Sequence, residues 1–314
     1  MRRIAILLAP LSLAALALTA CGSSSPSAAN AAVTVTGAFD KEPTVTIPAG
    51  KASGALDVRT LHRGSGPAVT STDALVANYA VYIWSGTAHK LAQSTYKSLP
   101  ALFAGRLLPG LQTALRNQTV GSRVLAVIPP KDGYGSQGNT QGGVKPTDTL
   151  VFVIDLLKSF AANAAASGTA VSHGRSGLPT VTPGSPPSVT IPKSKPPKSL
   201  TSTTLIQGSG SPVTTGQYVI VQYVGANWRT GKVFDASWSH GDPFGFVIGV
   251  PPAQGGVITG WNSGLLGQKI GSRVLLTIPP KDGYGATGNA QAGIKGTDTL
   301  VFVVDILGSF SKAA

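Results

Sequence analysis

Few side chains in this chain of 314 residues could do covalent, redox or metal chemistry. The four histidines, His62, His89, His173 and His240, are scattered with no ligand-like spacing. The single cysteine, Cys21, can form neither an intramolecular disulfide nor a thiolate zinc site. No metal centre and no cofactor site is therefore expected. Two stretches, Gly133 to Gly138 and Gly283 to Gly288, fit the spacing G-x-G-x-x-G. A nucleotide fingerprint needs a strand before it and a helix opening directly after it. Here Pro129-Pro130 and Pro279-Pro280 come before, and a polar Gly/Asn/Gln loop follows, so these glycines are read as positions of positive φ.

Cys21 has a different chemistry available to it. Met1 to Arg3 is a short basic stretch, and Ile4 to Leu18 is apolar but shorter than the ~20 residues that span a bilayer. The run ends in Leu18-Thr19-Ala20-Cys21, which resembles a bacterial lipobox. That resemblance implies cleavage before Cys21 and a diacylglyceryl thioether on its sulfur. Residues 1–20 are thus expected to be a lipoprotein signal peptide, and residues 21–37 a flexible Ser/Ala-rich tether. The protein would then be extracytoplasmic and held to the cell membrane. Lys and Arg number 25 against 12 Asp and Glu, a net charge of +13. Export and an aromatic content of 6% argue against nucleic acid as a partner, since no stacking platform is apparent.

The elements that position the remaining residues come from a duplication. Val120 to Phe160 and Ile270 to Phe310 are identical at 29 of 41 positions. Upstream, Pro43 to Pro48 pairs with Pro187 to Pro192, and Arg63 to Gly66 with Gln207 to Gly210. Two domains follow, at 38–160 and 187–314, separated by an Ala/Ser/Gly/Pro-rich linker at 161–186. Tyr218 to Gly225, Ser272 to Ile278 and Asp298 to Leu307 are β-branched and aromatic runs bounded by Gly and Pro, and are read as strands. Between the first two, Thr259 to Gly267 places Trp261 and Leu265 at i, i+4 on one short helix. Without long crossover helices each sheet should be antiparallel.

Together these segments resemble the FKBP-type peptidyl-prolyl cis-trans isomerases. The second domain carries the pattern in order: Gln222 to Gly225, Gly231 to Asp235, Pro243 to Phe246, Gly255 to Trp261, Gly271 to Arg273, Gly283 to Gly288 and Thr299 to Phe302. The resemblance implies an α+β fold in which a curved antiparallel sheet wraps a short helix. It also implies an apolar pocket that receives a proline ring, and peptidyl-prolyl isomerase activity on unfolded or extended polypeptides during folding of secreted or envelope proteins. Macrolide ligands of the family are further implied partners. By the same resemblance Trp261 is the pocket floor. Tyr223, Phe234, Phe244, Val257, Ile258 and Phe302 are walls. Asp235 lies near the twisting amide, Tyr284 and the Ile258 N–H donate to the substrate, and Ile294 comes from a loop over the pocket. His240 stands where the family often has Arg, which should loosen the support of Asp235.

The first domain departs from this pattern. Tyr79, Tyr134, Val144 and Phe152 match Tyr223, Tyr284, Ile294 and Phe302. However, Leu91-Ala92-Gln93 replaces Val233-Phe234-Asp235, Leu111 replaces Trp261, and Phe244 meets Leu99-Pro100-Ala101. Catalysis is therefore expected from the second domain. The alternative is a non-catalytic chaperone or peptide-binding scaffold that uses both pockets.

Overall fold

The computed structural model describes residues 30, 32–172 and 177–312. Cys21 and the signal segment lie outside the described residues. In the first domain the strands are β1 (Thr34–Thr36), β2 (Thr44–Thr46), β3 (Asp57–His62), β4 (Ala74–Ser85), β5 (Ala88–Ser94), β6 (Ala101–Phe103), β7 (Arg123–Ile128) and β8 (Thr149–Phe160), with helix α1 (Pro109–Leu115) between β6 and β7. The second domain follows with β9 (Thr169–Ala170), β10 (Thr180–Thr182), β11 (Ser188–Thr190), β12 (Thr201–Gln207), β13 (Tyr218–Asn227), β14 (Val233–Ala236), α2 (Ser237–His240), β15 (Phe244–Val247), α3 (Thr259–Leu265), β16 (Arg273–Ile278) and β17 (Leu300–Phe310). No helix among the described residues is long and apolar enough to cross a membrane.

The two main sheets have the same plan. The first runs β3-β7-β8-β4-β5, with β6 also beside β4, and the second runs β14-β13-β17-β16-β12-β9, with β15 also beside β13. Every pairing is antiparallel. The long strand β13 is shared along its free edge: β15 takes Tyr218 to Val221 and β14 takes Val224 to Ala226. A bulge at Ile220/Val221 in the β13–β17 ladder bends the strand. The chain leaves the edge between β14 and β15, and that gap is where the site forms.

Helix α3 is only seven residues long and has no side-chain cap, so packing rather than propensity holds it. It buries Gly260, Trp261, Gly264 and Leu265. A Cβ on Gly260 would lie 2.5 Å from Ile278, and one on Gly264 2.6 Å from Leu276. Glycine at both positions lets the helix press onto β16, which drives Trp261 into the core. In the first domain Gly110 does the same against Ile128, at 2.5 Å.

The other face of each sheet is covered as well. The β1–β2 hairpin and its flanks bring Val33, Val35, Val45 and Ile47 onto Trp84, Leu125, Val127, Val151 and Val153. The β10–β11 hairpin lays Val181, Val189 and Ile191 over Leu205, Trp228, Leu275, Val301 and Val303. Buried ion pairs fasten these hairpins. Arg123 grips Asp155 and donates to the Gly37 and Lys41 carbonyls; Arg273 grips Asp305 and donates to the Gly184 carbonyl.

Two expected boundaries change. The tether expected over 21–37 ends earlier, because Val33 and β1 belong to the first domain. The linker expected over 161–186 is in part built into the second domain. Its β9 pairs with β12, the Ser167 N–H donates to the Gly271 carbonyl, and the Ala166 N–H donates to Asp305. Such backbone pairing needs no apolar side chains, so an Ala/Ser/Gly composition conceals it. The domains also share a small core, in which Val76 and Phe160 of the first pack with Ile220, Tyr218 and Phe310 of the second.

Candidate functional site

The gap in the second sheet opens on a cavity of about 430 Å³. Its floor and walls are aromatic. Trp261, 4% exposed, meets Tyr223 and Phe302 edge-on at 5.2 Å between ring centroids, Phe246 at 5.4 Å and Phe244 at 6.2 Å. Phe234 stands edge-on to Phe302 at 5.6 Å. Val257 and Ile258, on the approach to α3, close one side. The Ile258 N–H, just ahead of the helix, makes no hydrogen bond among the described residues.

One carboxylate stands at this apolar wall. Asp235, the third of the four residues of β14, receives the Tyr223 phenol O–H on one oxygen. The His240 Nε2 lies 2.7 Å from its other oxygen. Partial burial by itself would push the Asp235 carboxyl up. The hydrogen bonds from Tyr223 and His240, with the charge of a protonated His240 and the Ala236 N–H, outweigh it and hold the carboxyl below its ordinary value. The same geometry acts oppositely on Tyr223: burial first, then the bond to Asp235, keep its phenol protonated. His240 therefore supports Asp235 where looser support was expected, because the single turn of α2 returns residue 240 to residue 235.

Tyr284 reaches the opposite rim from a loop of two short 3-10 turns, Pro280–Asp282 and Gly285–Thr287. It is 37% exposed, and its phenol oxygen has no hydrogen-bond partner among the described residues. The loop closes at Gly288, where φ is +67° and a Cβ would lie 2.4 Å from the Ile294 carbonyl oxygen. Glycine is required there by backbone geometry, as the reading of the glycine motif expects; Gly285 has positive φ as well, whereas Gly283, the first glycine of the motif, has φ −105° and departs from that reading.

The structure thus brings Tyr223, Phe234, Asp235, Phe244, Val257, Ile258, Trp261, Tyr284 and Phe302 to one cavity. Ile294 is the exception. It is 4% exposed and packs in the core with Trp261 and Phe302, not on the cavity wall. Pro252, Gly256 and Gly283 complete the lining, and sequence reasoning did not assign them to the pocket. Among the described residues no cluster of His, Cys, Asp and Glu could hold a metal ion.

The first domain has a cavity at the equivalent place, of about 470 Å³. Tyr79, Tyr134 and Phe152 line it as their counterparts Tyr223, Tyr284 and Phe302 line the second; Val144 lines it too, unlike its counterpart Ile294, and Leu111 forms part of its wall. Gln93 stands opposite Val81, as Asp235 stands opposite Gly225, so an amide replaces the carboxylate. Phe103 also lines this cavity, edge-on to Tyr79 at 5.4 Å. Its register on β4 matches that of Phe246 on β13, a correspondence that only the strand pairing reveals.

A single family accounts for both cavities. The model of the FKBP-type peptidyl-prolyl cis-trans isomerases matches residues 66–157 and again 210–307, and the chain belongs to that family. It is a peptidyl-prolyl isomerase with the FKBP domain present twice. An FK506-binding protein of Streptomyces anulatus is 40% identical over 121 residues, covering 38% of this chain and 94% of that protein. A probable FK506-binding protein of Corynebacterium glutamicum is 36% identical over 121 residues, 38% of this chain and 96% of that one. Among solved structures, the three FKBP domains of wheat FKBP73 align at 24% identity over 82% of this chain and 95% of that one, with a TM-score of 0.32.

Proposed function

We propose that the second domain's pocket performs the isomerisation, and that the protein serves as an exported folding catalyst for secreted or envelope polypeptides. The observation that carries this reading is the Tyr223–Asp235–His240 arrangement at the wall of the aromatic cavity, in whose place the first domain has Tyr79 and Gln93 and no carboxylate.

Rotation about an X–Pro bond faces a barrier of roughly 18–20 kcal/mol, because amide resonance resists twisting. Cis and trans differ by only ~0.5–1 kcal/mol, so the catalyst need only bind the twisted amide better than either planar form. A dry cavity disfavours the charge-separated planar amide. Trp261 and Phe302 form the floor against the proline ring, with Phe234, Tyr223, Phe244 and Val257 around it. The free Ile258 N–H and the Tyr284 hydroxyl donate to substrate carbonyls. The Asp235 carboxylate, fixed by two partners, faces the polarised amide carbon and disfavours the planar form. No bond is made or broken, so no nucleophile is needed. X–Pro isomerisation takes ~10–100 s uncatalysed, slow enough to limit the folding of an exported chain.

Anchoring through a lipid on Cys21 is part of the proposal. Its support is the basic start, the apolar run and the position of the only cysteine. FK506, which the bacterial relatives are named for binding, is proposed to compete for the same pocket. The test is the cis-trans exchange rate of a short X–Pro peptide with the intact chain, with and without FK506. Catalysis that FK506 suppresses is expected. A folded protein that leaves the uncatalysed rate unchanged would contradict the reading.

A further inference from the structure

We propose that the first domain's cavity is a second binding site, for an extended polypeptide segment in which a bulky apolar residue neighbours an Asp or Glu. This goes beyond the isomerase pocket but rests on the reading that the protein's substrate is a polypeptide.

The cavity has an apolar interior and an unpartnered polar edge. Val81, Ile83, Leu107, Leu108, Leu111 and Leu150 give an aliphatic lining in place of the indole floor of the second domain. With the Tyr79, Phe103 and Phe152 rings beside it, such a lining takes a branched or aromatic side chain but lacks the indole face of the second pocket. Around it stand the Tyr79 and Tyr134 phenols, the Gln93 amide and the Arg106 guanidinium. The polar side-chain atoms of these four make no hydrogen bond or ion pair among the described residues. Burial, then the nearby Tyr134, pushes the Tyr79 phenol up, so it remains a donor. Each of the four offers N–H or O–H groups, and no Asp or Glu lines the cavity. Asn139, the other amide there, uses its oxygen on the Gly142 N–H of its own loop.

The second cavity has the opposite character. Its charged group is Asp235, and Gly256 occupies the position just before Val257 that Arg106 holds before Leu107. A carboxylate beside the apolar group is therefore the complement of the first cavity and not of the second.

The surroundings favour a polypeptide over a small acid. Phe103 and Leu107 line both this cavity and a neighbouring cleft of about 440 Å³. The cleft also takes in Gly241 and Asp242 of the second domain, immediately after the His240 that touches Asp235. A chain segment held in the first cavity can thus run on along this cleft as far as the second domain.

The test uses the intact chain and a fluorescently labelled, proline-free pentapeptide, Ala-Ala-Phe-Glu-Ala, against its Gln counterpart, read by anisotropy. The Glu peptide should bind about two- to fivefold more tightly, the ratio expected for one charge pair with the exposed Arg106 guanidinium. Arg106→Gln should erase the difference between the peptides. Ala92→Trp, on the exposed rim, should weaken both, and Asp235→Asn should change neither. Equal affinity for the two peptides in the wild type overturns the proposal. So does binding that survives Ala92→Trp and is lost in Phe244→Ala, which would assign the peptide to the second pocket. The readout involves no turnover, so a failed isomerase assay would count against the second domain's proposed role and leave this result standing.

Discussion

Trp261→Leu gives the second domain the residue that the first carries at Leu111, and its cost follows from the contacts of the indole. Trp261 is 4% exposed and meets four aromatic rings at 5.2 to 6.2 Å. Each such pair is worth about 0.5–1.5 kcal/mol beyond area burial. Truncating a buried Trp to Ala costs ~3–5 kcal/mol, and Leu keeps part of the volume. A loss of about 2–4 kcal/mol is therefore expected, within the ~5–15 kcal/mol typical of a folded domain. No hydrogen bond is lost, because the indole Nε1–H has no partner among the described residues. Urea unfolding of the intact chain measures the stability, and peptide exchange at a denaturant-free, fully folded condition measures the activity. Turnover should fall by tenfold or more, equivalent to about 1.4 kcal/mol of lost transition-state binding. A folded variant with wild-type turnover would refute the role given to the indole floor.

Tyr284→Phe should lower kcat/KM by the worth of one hydrogen bond to a polarised carbonyl, about 1–3 kcal/mol, and leave urea unfolding unchanged, since the hydroxyl has no partner in the fold. The Asp235 carboxyl should take up its proton at a lower pH than an ordinary aspartate, because partial burial is outweighed by the bonds from Tyr223 and His240. A depressed folded value means that the Tyr223 and His240 bonds contribute stability above the unfolded value and lose it as pH falls through the depressed one. Carbon-13 NMR titration of Asp235 checks this, and His240→Ala should move its midpoint upward; an unmoved midpoint would deny His240 its supporting role. Cys21→Ala should shift the protein from the membrane fraction to the medium or leave unprocessed precursor. Mature, lipid-labelled protein in the membrane after that change would contradict the anchor.

Most of the second pocket was legible because its residues come in short separated motifs, each on a different element, and chain order alone identifies them. Trp261 and Phe302 needed no knowledge of side-chain direction. Ile294 did: an apolar residue in a polar loop reads the same whether it faces a cavity or the core. Phe103 was missed because its partner is set by the register of a three-residue strand, which no local pattern encodes. The hairpins that cover the outer faces were visible as repeated Thr-Val-Thr segments, but too short to announce strands. β9 was hidden because its pairing with β12 is made by backbone groups in an Ala/Ser/Gly stretch. His240 shows how spacing can replace residue type: five residues after Asp235, on one helical turn, an imidazole reaches the Asp235 carboxylate.

The division of labour between the two domains is tested most directly by matched double variants of the intact chain in the X–Pro exchange assay. Asp235→Ala with Tyr284→Phe should remove nearly all catalysis, and Gln93→Ala with Tyr134→Phe should leave nearly all of it. Equal losses from the two pairs, or a greater loss from the first-domain pair, would contradict the assignment of isomerisation to the second pocket.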